Sequence, residues 1–339
     1  MTVGLVLVVG EANNHAFWLC IRRLRLGISL KLILFTTFAL VAFASNSILC
    51  RLALRGDEAD AAGFTGVRLV SGAVALVVIS WFVTKGGNLS GSEGVSSFGE
   101  DARSGNEEDT LPTGRVSASW PSAFFLFAYA VCFSFAYLGL TAGTGALILF
   151  GSVQMSMVAA AIFKGERPPL VEWLGILIAV GGLVYLVLPG LASPPLTSSL
   201  LMAAAGMSWA VYTLRGKSST DPLADTTGNF VRAVPMAAVV ALIYLPNLHL
   251  TPRGWLLAIL SGAVTSGVGY TIWYSVVKDH TTTRAAVLQL SVPVIAAVIG
   301  IAFLGETATL TLIVASILIL GGIGLTIFGK RSLAQARTK

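Results

Sequence analysis

Charged residues are scarce in this sequence of 339 residues. Lys, Arg, Asp and Glu together make up 11% of the chain, whereas apolar side chains make up 55%. A soluble domain carries about 25% charged residues. Because so few charges cannot cover a globule of this size, most of the surface must face something other than water. The composition therefore disfavours a soluble enzyme, and it excludes disorder over most of the chain.

Patterns typical of catalysis and of cofactor binding are also missing. The three cysteines, Cys20, Cys50 and Cys132, are scattered and give neither a disulfide framework nor a metal-ligand spacing. No GxxxxGK phosphate-binding loop is present, so ATP is not the energy source within this chain. All sixteen acidic residues and all three histidines fall in loops or at the ends of the apolar runs. We therefore expect no enzyme activity, no cofactor and no metal site.

Long apolar runs are the dominant feature that is present. A helix needs about 20 apolar residues to cross a hydrocarbon core of about 30 Å. Ten runs of roughly this length predict an all-α integral membrane protein with ten transmembrane helices. The predicted spans are 30–50, 64–84, 120–140, 143–163, 170–189, 197–214, 229–246, 254–277, 284–304 and 309–328.

Three segments do not follow this pattern. Residues 1–28 fit neither a signal peptide nor a full span, so we interpret them as an N-terminal extension and leave open whether they belong to the protein in the cell. Residues 86–119 are rich in Gly, Ser and acidic residues, which predicts a disordered cytoplasmic linker. Residues 329–339 form a basic tail.

The basic residues lie between the apolar runs, which is a pattern of membrane topology rather than of nucleic-acid binding. If both termini are cytoplasmic, seventeen Lys and Arg residues lie on that side and three, Arg51, Arg55 and Arg253, on the other. This positive-inside bias predicts a multi-pass protein with both termini in the cytoplasm. Only Arg68 and Arg232 fall inside predicted spans.

The two halves of the sequence are similar to each other. An offset of 140 residues aligns the Gly-Glu pair at 165–166 with the Gly-Glu pair at 305–306, and an offset of 164 aligns Arg68 with Arg232. We interpret residues 30–189 and 197–328 as two repeats of five spans each. Because five is odd, the second repeat enters the membrane from the opposite side. Inverted repeats are typical of transporters that open alternately to either face.

Motifs in both repeats carry a family resemblance. They are Gly-Glu-Arg at 165–167, Gly-Glu-Thr at 305–307, the following Gly-Gly pairs, Ser-Trp-Ala-Val-Tyr at 208–212 and Gln-Leu-Ser-Val-Pro-Val at 289–294. In these features the chain resembles the drug/metabolite transporter superfamily, and within it the EamA-type ten-span permeases. The resemblance implies a permease of the bacterial inner membrane that exports amino acids or related metabolites, or moves other small organic compounds. The N-terminal extension and the long linker depart from the family pattern.

Polar and aromatic side chains at helical spacing predict a central cavity. Spans three and eight each carry aromatic residues on one face. An amide in hydrocarbon must find a partner, which favours Asn46, Gln154 and Gln289 as binding groups. Such walls suit a small zwitterion or an amphipathic molecule, although packing between helices is the alternative. The predicted substrate-binding residues are Asn46, Tyr129, Tyr137, Gln154, Trp209, Tyr212, Tyr270, Trp273, Tyr274, Gln289 and Ser291.

Two intramembrane cations and one proline have two interpretations each. Arg68 and Arg232 either reach the interface or a helix-end carbonyl, or one of them binds a substrate carboxylate. Pro293 lies inside predicted span nine, where it removes a backbone hydrogen bond. It is therefore predicted to act as a hinge, with helix packing as the alternative.

The sequence thus predicts a secondary transporter of small organic solutes that works by alternating access. Its expected partners are a small-molecule substrate and the lipid bilayer, without nucleic acid, and a homodimer is left open. One alternative is a membrane protein without transport activity, either a lipid-modifying enzyme or a scaffold. Another is a transporter of phosphorylated or nucleotide-linked compounds, which would need more intramembrane cations than these two arginines.

Overall fold

The computed structural model describes residues 4–90, 118–163, 165, 169–187, 194–216, 219, 221–277 and 288–336. Side chains are described from residue 30 to 83 and, in the later ranges, up to residue 326. Within these ranges the regular secondary structure is helical, apart from one β-bridge between Ala59 and Leu250. Most of the predicted linker and the carboxylate of Glu166 lie outside the described residues.

Eleven α-helices are described. They are α1 (Gly4–Arg55), α2 (Ala61–Ser90), α3 (Trp120–Ala136), α4 (Ala142–Phe163), α5 (Leu170–Val187), α6 (Leu196–Gly216), α7 (Pro222–Ile243), α8 (Pro252–Ile259), α9 (Gly269–Val277), α10 (Ser291–Leu304) and α11 (Leu310–Ala336). A π-helical segment, Leu260–Val268, joins α8 to α9, and we call this continuous element the π rod. Residues 4–28, predicted as a separate extension, continue directly into the first span as part of α1.

Six helices are long and apolar enough to cross a membrane. They are Leu30–Arg55, Ala61–Val83, Ala142–Phe163, Leu170–Val187, Pro222–Ile243 and Pro252–Val276. Three shorter apolar helices are Trp120–Ala136, Ser291–Leu304 and Leu310–Thr326. Helix α6 coincides with predicted span 197–214 but belongs to neither group. The chain is therefore a multi-pass, all-helical membrane protein in its described part, and the count of ten spans stays a prediction.

Side-chain caps and prolines fix where several helices begin. Ser119 caps α3 by accepting a hydrogen bond from the backbone N of Ser122, and Asp221 caps α7 by accepting one from Ala224 N at 3.0 Å. A proline follows each cap within the first two helical positions, where its missing N–H would have no helical partner. The loops therefore specify the helix starts locally.

Glycines of the two Gly-Glu pairs end helices α4 and α10. Gly165 has a φ of +88° and Gly305 a φ of +62°. This left-handed conformation is inexpensive only for glycine, and it is the usual way to stop a helix. A physical requirement for glycine therefore underlies both copies of this repeated motif.

Each of the larger contacts between helices has a counterpart when the corresponding helices of the two predicted repeats are exchanged. If α1 corresponds to α6, α2 to α7, α3 to the π rod, α4 to α10 and α5 to α11, then three contacts map onto themselves: α2 with α7, α4 with α10, and α5 with α11. The contact of α3 with α6 has its mate in α1 with the π rod, and that of α4 with α6 has its mate in α1 with α10. The contact of α3 with α7 corresponds to that of the π rod with α2.

Candidate functional site

An aromatic cluster lies at the centre of the bundle, where α1, α3, α6 and α9 meet. Trp209 is in the middle, with its ring centroid 5.0 Å from that of Tyr129, 4.9 Å from that of Tyr270 and 5.5 Å from that of Tyr212. The ring of Phe43 contacts Tyr270 edge to face at 5.7 Å. All five side chains are buried. The spacing is that of packed aromatic pairs, which gives rigid walls with little conformational freedom.

A narrow cavity of about 20 Å³, with room for about one water molecule, lies inside this cluster. Helices α1, α3 and α4 of the first half and α6 and α9 of the second half form its walls, so both halves contribute. The lining residues are Phe43, Asn46, Tyr129, Phe133, Leu149, Phe150, Trp209 and Tyr270. Four of the predicted substrate-binding residues are therefore brought together here.

Asn46 supplies the buried amide of this cavity, and this amide forms hydrogen bonds with residues of α3 and of the π rod. Its Oδ1 accepts hydrogen bonds from Ser261 Oγ at 2.5 Å and from Thr265 Oγ1 at 3.3 Å. Its Nδ2 donates to the hydroxyl oxygen of Tyr129 at 3.4 Å. The amide oxygen is thus occupied by donors from the π rod, and the amide links that rod to α3.

Arg68 of α2 is buried beside the cavity, with only 2% of its surface exposed. Its Nε donates to Ser266 Oγ at 3.3 Å, and its Nη2 donates to the hydroxyls of Tyr129 at 3.2 Å and Tyr270 at 3.5 Å. The guanidinium carbon lies 5.3 Å from the ring centroid of Tyr129 and 5.0 Å from that of Phe133. Nη1 has no hydrogen-bond partner. The interpretation in which Arg68 reaches the membrane interface is therefore wrong.

Arg232, which aligns with Arg68 in the sequence, is in a different environment. It is half-buried, and its Nη1 donates to the carbonyl of Gly228 in its own helix at 3.0 Å. The carbonyl that Arg232 bonds lies inside α7 rather than at a helix end, so both interpretations of Arg232 stay predictions. The difference arises because the π rod packs closely on α2, where a Cβ added to Gly262 would overlap the Arg68 carbonyl oxygen.

The π-helical segment was missed at the level of sequence. Its wider turns direct Ser261 and Thr265 toward Asn46 and Ser266 toward Arg68. Such segments are rare and occur often at functional sites. The run of small and polar residues at 261–267 was the available signal, but the same composition also suits ordinary close packing of helices.

Two other predicted residues line a second, separate pocket. Tyr212 and Tyr274 border a pocket of about 20 Å³ near the end of α6, together with Asn229 of α7. Tyr212 also packs on Trp209 at 5.5 Å, so it stands between this pocket and the central cavity. According to the predicted topology, the second pocket lies toward the cytoplasm.

The remaining predicted residues do not line the central cavity. Tyr137 is fully buried, and its hydroxyl donates to the carbonyl of Ala142 at 3.4 Å. Trp273 packs against Phe43 with centroids 5.7 Å apart. Gln154 is buried on α4, and its Nε2 has no hydrogen-bond partner. Gln289 and Ser291, the last two of the predicted residues, are half-buried.

Pro293 lies directly after a break in the helical path of predicted span nine. Residues 288–289 are helical, Leu290 is a turn, and α10 begins at Ser291 with Pro293 as its third residue. A proline has no N–H to donate to the carbonyl four positions earlier, that of Gln289, which fits a break at this point. A hinge at Pro293 stays a prediction.

The buried carboxylate of Glu306, at the end of α10, holds several elements together, and the sequence did not predict this role. Both carboxylate oxygens of Glu306 accept from the backbone N of Ala142, at 2.9 and 3.0 Å. Arg51 Nε lies 3.6 Å from Glu306 Oε1, and Arg51 Nη1 donates to the carbonyl of Tyr137 at 2.9 Å. We call Arg51, Tyr137, Ala142 and Glu306 the Glu306 cluster. It joins α1, the turn between α3 and α4, and α10.

In the described part of the chain, the acidic, histidine and cysteine side chains do not gather into a metal-binding cluster. No group of three or more His, Cys, Asp or Glu side chains in these ranges could hold a metal ion. The chemistry that the cavity does offer is binding: aromatic faces, hydroxyls, one amide and one buried guanidinium. Such a combination is typical of sites that bind small polar molecules.

Known proteins are similar to this chain over different lengths. Residues 196–328 match the model of the EamA-like transporter family. An uncharacterized protein of Pseudomonas aeruginosa is 42% identical over 86% of this chain and 93% of its own length. The threonine/homoserine exporter RhtA of Escherichia coli is 32% identical over 45% of this chain, which spans about half, 52%, of the exporter.

Two further similarities extend over more of the chain than the similarity to RhtA does. A Salmonella typhimurium protein named "Probable amino-acid metabolite efflux pump" is 27% identical over 62% of this chain and 75% of its own length. One solved protein crystal structure is similar over 89% of this chain and 97% of its own, with a TM-score of 0.55 and 17% identity. At that identity the likeness concerns the fold alone. The family match, the exporter relatives and the apolar helices agree that the chain is a membrane transporter rather than an enzyme. Its residues 196–328 belong to the EamA-like transporter family.

Proposed function

We propose that the protein exports amino acids or related metabolites across the bacterial inner membrane as a secondary transporter. The observation that carries the proposal is the narrow cavity between the two halves, with Asn46 and three closely packed aromatic rings in its walls. The names of the relatives, a threonine/homoserine exporter and an amino-acid metabolite efflux pump, support this substrate class.

Alternating access is the mechanism that the helix packing supports. The predicted architecture is ten spans in two inverted repeats of five, with both termini cytoplasmic. Contacts that exchange the two repeats, such as α3 with α6 and α1 with the π rod, are what such an architecture requires. Because the cavity lies between helices of both halves, a movement of one half against the other would open it to one side at a time.

The energy source of transport follows from the side chains at membrane depth. Within the described spans, no carboxylate lines the central cavity, and Glu306 at the end of α10 is engaged in its cluster. We therefore propose facilitated diffusion or exchange of solute rather than a carboxylate relay through the cavity, with proton coupling at a boundary residue such as Glu166 as the alternative.

Counterflow in proteoliposomes tests the proposal. Vesicles containing the purified protein are loaded with a mixed pool of unlabelled amino acids, and the uptake of each labelled amino acid is followed without a proton gradient. We expect transient accumulation of at least one amino acid with the wild type, and none with Asn46→Ala. Ser316→Ala is the control, because this half-buried hydroxyl bonds only the carbonyl of Leu312 in its own helix. It should behave as the wild type.

Two outcomes would direct the search elsewhere. Accumulation of phosphorylated compounds but not of amino acids would favour the alternative substrate class. That class has less support, because Arg68 is the cation in contact with the cavity walls among the described residues. Absence of flux for every solute, with folded protein, would favour a scaffold without transport activity.

A further inference from the structure

The charge of Arg68 is not balanced by an acid in the described part of the chain. The ion pairs described there join Arg51 with Glu306, His249 with Asp57, and Arg253 with Glu58. The contacts of the Arg68 side chain are instead neutral hydroxyls and aromatic faces. A buried charge is costly unless a counter-ion accompanies it. The site is therefore prepared for an anion that the described part of the chain does not provide.

The polar groups beside this charge are hydroxyls, whose protons can turn toward an anion, and one amide whose oxygen is occupied. Tyr129 Oη accepts from Arg68 Nη2 and from Asn46 Nδ2, and it shares a hydrogen bond with the hydroxyl of Tyr270 that an anion would replace. The hydroxyl of Tyr270 likewise accepts from Arg68. Asn46 Oδ1, by contrast, is taken up by the hydroxyls of two residues of the π rod. A surface of this kind offers hydrogen bonds to an anion and few to a cation.

We infer that Nη1 of Arg68 is the group that binds the carboxylate of the transported solute, so that a carboxylate is the required feature of the substrate. Nη1 is the one nitrogen of this guanidinium without a partner. Charge-assisted bonds from a guanidinium to a carboxylate are among the strongest hydrogen bonds in proteins. The inference rests on the proposed transport function, which it deepens by naming the group that is recognised.

The amino group of a substrate would be recognised more weakly. Acidic side chains do not occur among the residues that line the central cavity. An ammonium group there meets the faces of Trp209 and Tyr129, which attract cations without requiring them. Compounds that keep the carboxylate but lack the amine should therefore compete for the site, whereas carboxamides and decarboxylated amines should not.

Thermal unfolding of the purified protein with benzoate or benzamide tests this without knowledge of the substrate. The two probes have nearly the same shape and differ in charge. We expect benzoate to raise the unfolding midpoint of the wild type and benzamide to leave it unchanged. Arg68→Gln should abolish the benzoate shift. Arg232→Gln is the matched control, because Arg232 bonds a carbonyl of its own helix, and it should retain the shift.

Counterflow provides the second readout. For an amino acid that the wild type exchanges, its 2-oxo acid should compete and its carboxamide should not. Arg68→Gln should weaken half-saturation on the order of 10- to 100-fold, as expected for the loss of a hydrogen bond to a charged group. A purely structural role would lower the rate for all competitors alike and leave their ranking unchanged.

The outcomes separate this inference from the proposed function. Counterflow in which the carboxamide competes as well as the acid would overturn the carboxylate site and leave the transporter intact. A benzoate shift that depends on Arg68, without counterflow of any amino acid, would support the carboxylate site and overturn amino-acid export. Equal shifts with benzoate and benzamide, or a benzoate shift that survives in Arg68→Gln, would also overturn the inference.

Discussion

Replacing Glu306 by alanine should destabilise the protein much more than breaking an ion pair on its surface. The Glu306 side chain is only 6% exposed, and its two oxygens lie 2.9 and 3.0 Å from the backbone N of Ala142. Alanine would leave this N–H, at the start of α4, without an acceptor. It would also leave Arg51, whose side chain is 16% exposed, without its counter-ion.

The size of the effect follows from these contacts. A hydrogen bond to a charged group contributes about 1.5–3 kcal/mol, and a carboxylate at a helix N-terminus about 0.3–1 kcal/mol. The two effects overlap, so we expect Glu306→Ala to lower the free energy of unfolding by about 2–4 kcal/mol. Glu306→Gln keeps an oxygen for Ala142 N but loses the charge, so we expect a loss of about 1–2 kcal/mol.

Reversible unfolding in mixed micelles, followed by titration with SDS, measures these differences. Arg253→Ala is the control, since Arg253 is 65% exposed and lies 3.4 Å from Glu58. Its loss should cost about 0–1 kcal/mol, as for other exposed pairs. The reasoning is refuted if Glu306→Ala costs no more than this control. Strict additivity of Arg51→Gln and Glu306→Gln would show that the ion pair itself contributes nothing.

Three further predictions concern helix packing and the aromatic walls. Gly262→Ala should lower the free energy of unfolding in the same SDS assay by about 1–3 kcal/mol, because a Cβ there overlaps the carbonyl oxygen of Arg68. Gly321→Ala is the control: the space around it is open, so it should change the free energy of unfolding by less than about 1 kcal/mol. Gly305→Ala should cost about 1–2 kcal/mol, because its φ of +62° is strained for alanine, and a cost equal to that of Gly321→Ala would contradict this. Trp209→Ala should lower counterflow at least about tenfold, while Trp209→Phe retains most of it, because an aromatic face remains; equal losses would contradict a role for the ring.

Much of the fold could be predicted from the sequence because the length and polarity of a segment decide whether it can span a bilayer. Predicted spans 143–163 and 170–189 agree closely with helices Ala142–Phe163 and Leu170–Val187. A break inside predicted span nine was not predicted, because composition does not mark it. Residues 288–289 are helical, Leu290 is a turn, and α10 begins at Ser291.

The candidate site could be predicted only in part. Helical spacing shows which side chains share a face, but it does not show which face meets the cavity. Asn46, Tyr129, Trp209 and Tyr270 line it, whereas Gln289 and other predicted residues do not. The polar residues of the π rod were missed because that conformation has no distinct sequence pattern.

The sequence by itself determined the class of protein, because scarce charge and long apolar runs leave few environments other than a membrane. It also determined the helix stops at Gly165 and Gly305, since a left-handed residue is a local requirement. Only the tertiary structure decided the role of Arg68, whose partner Ser266 lies 198 positions away. Burial and pairing depend on which helices pack together, and that choice is made by the surfaces of the whole bundle rather than by any segment alone.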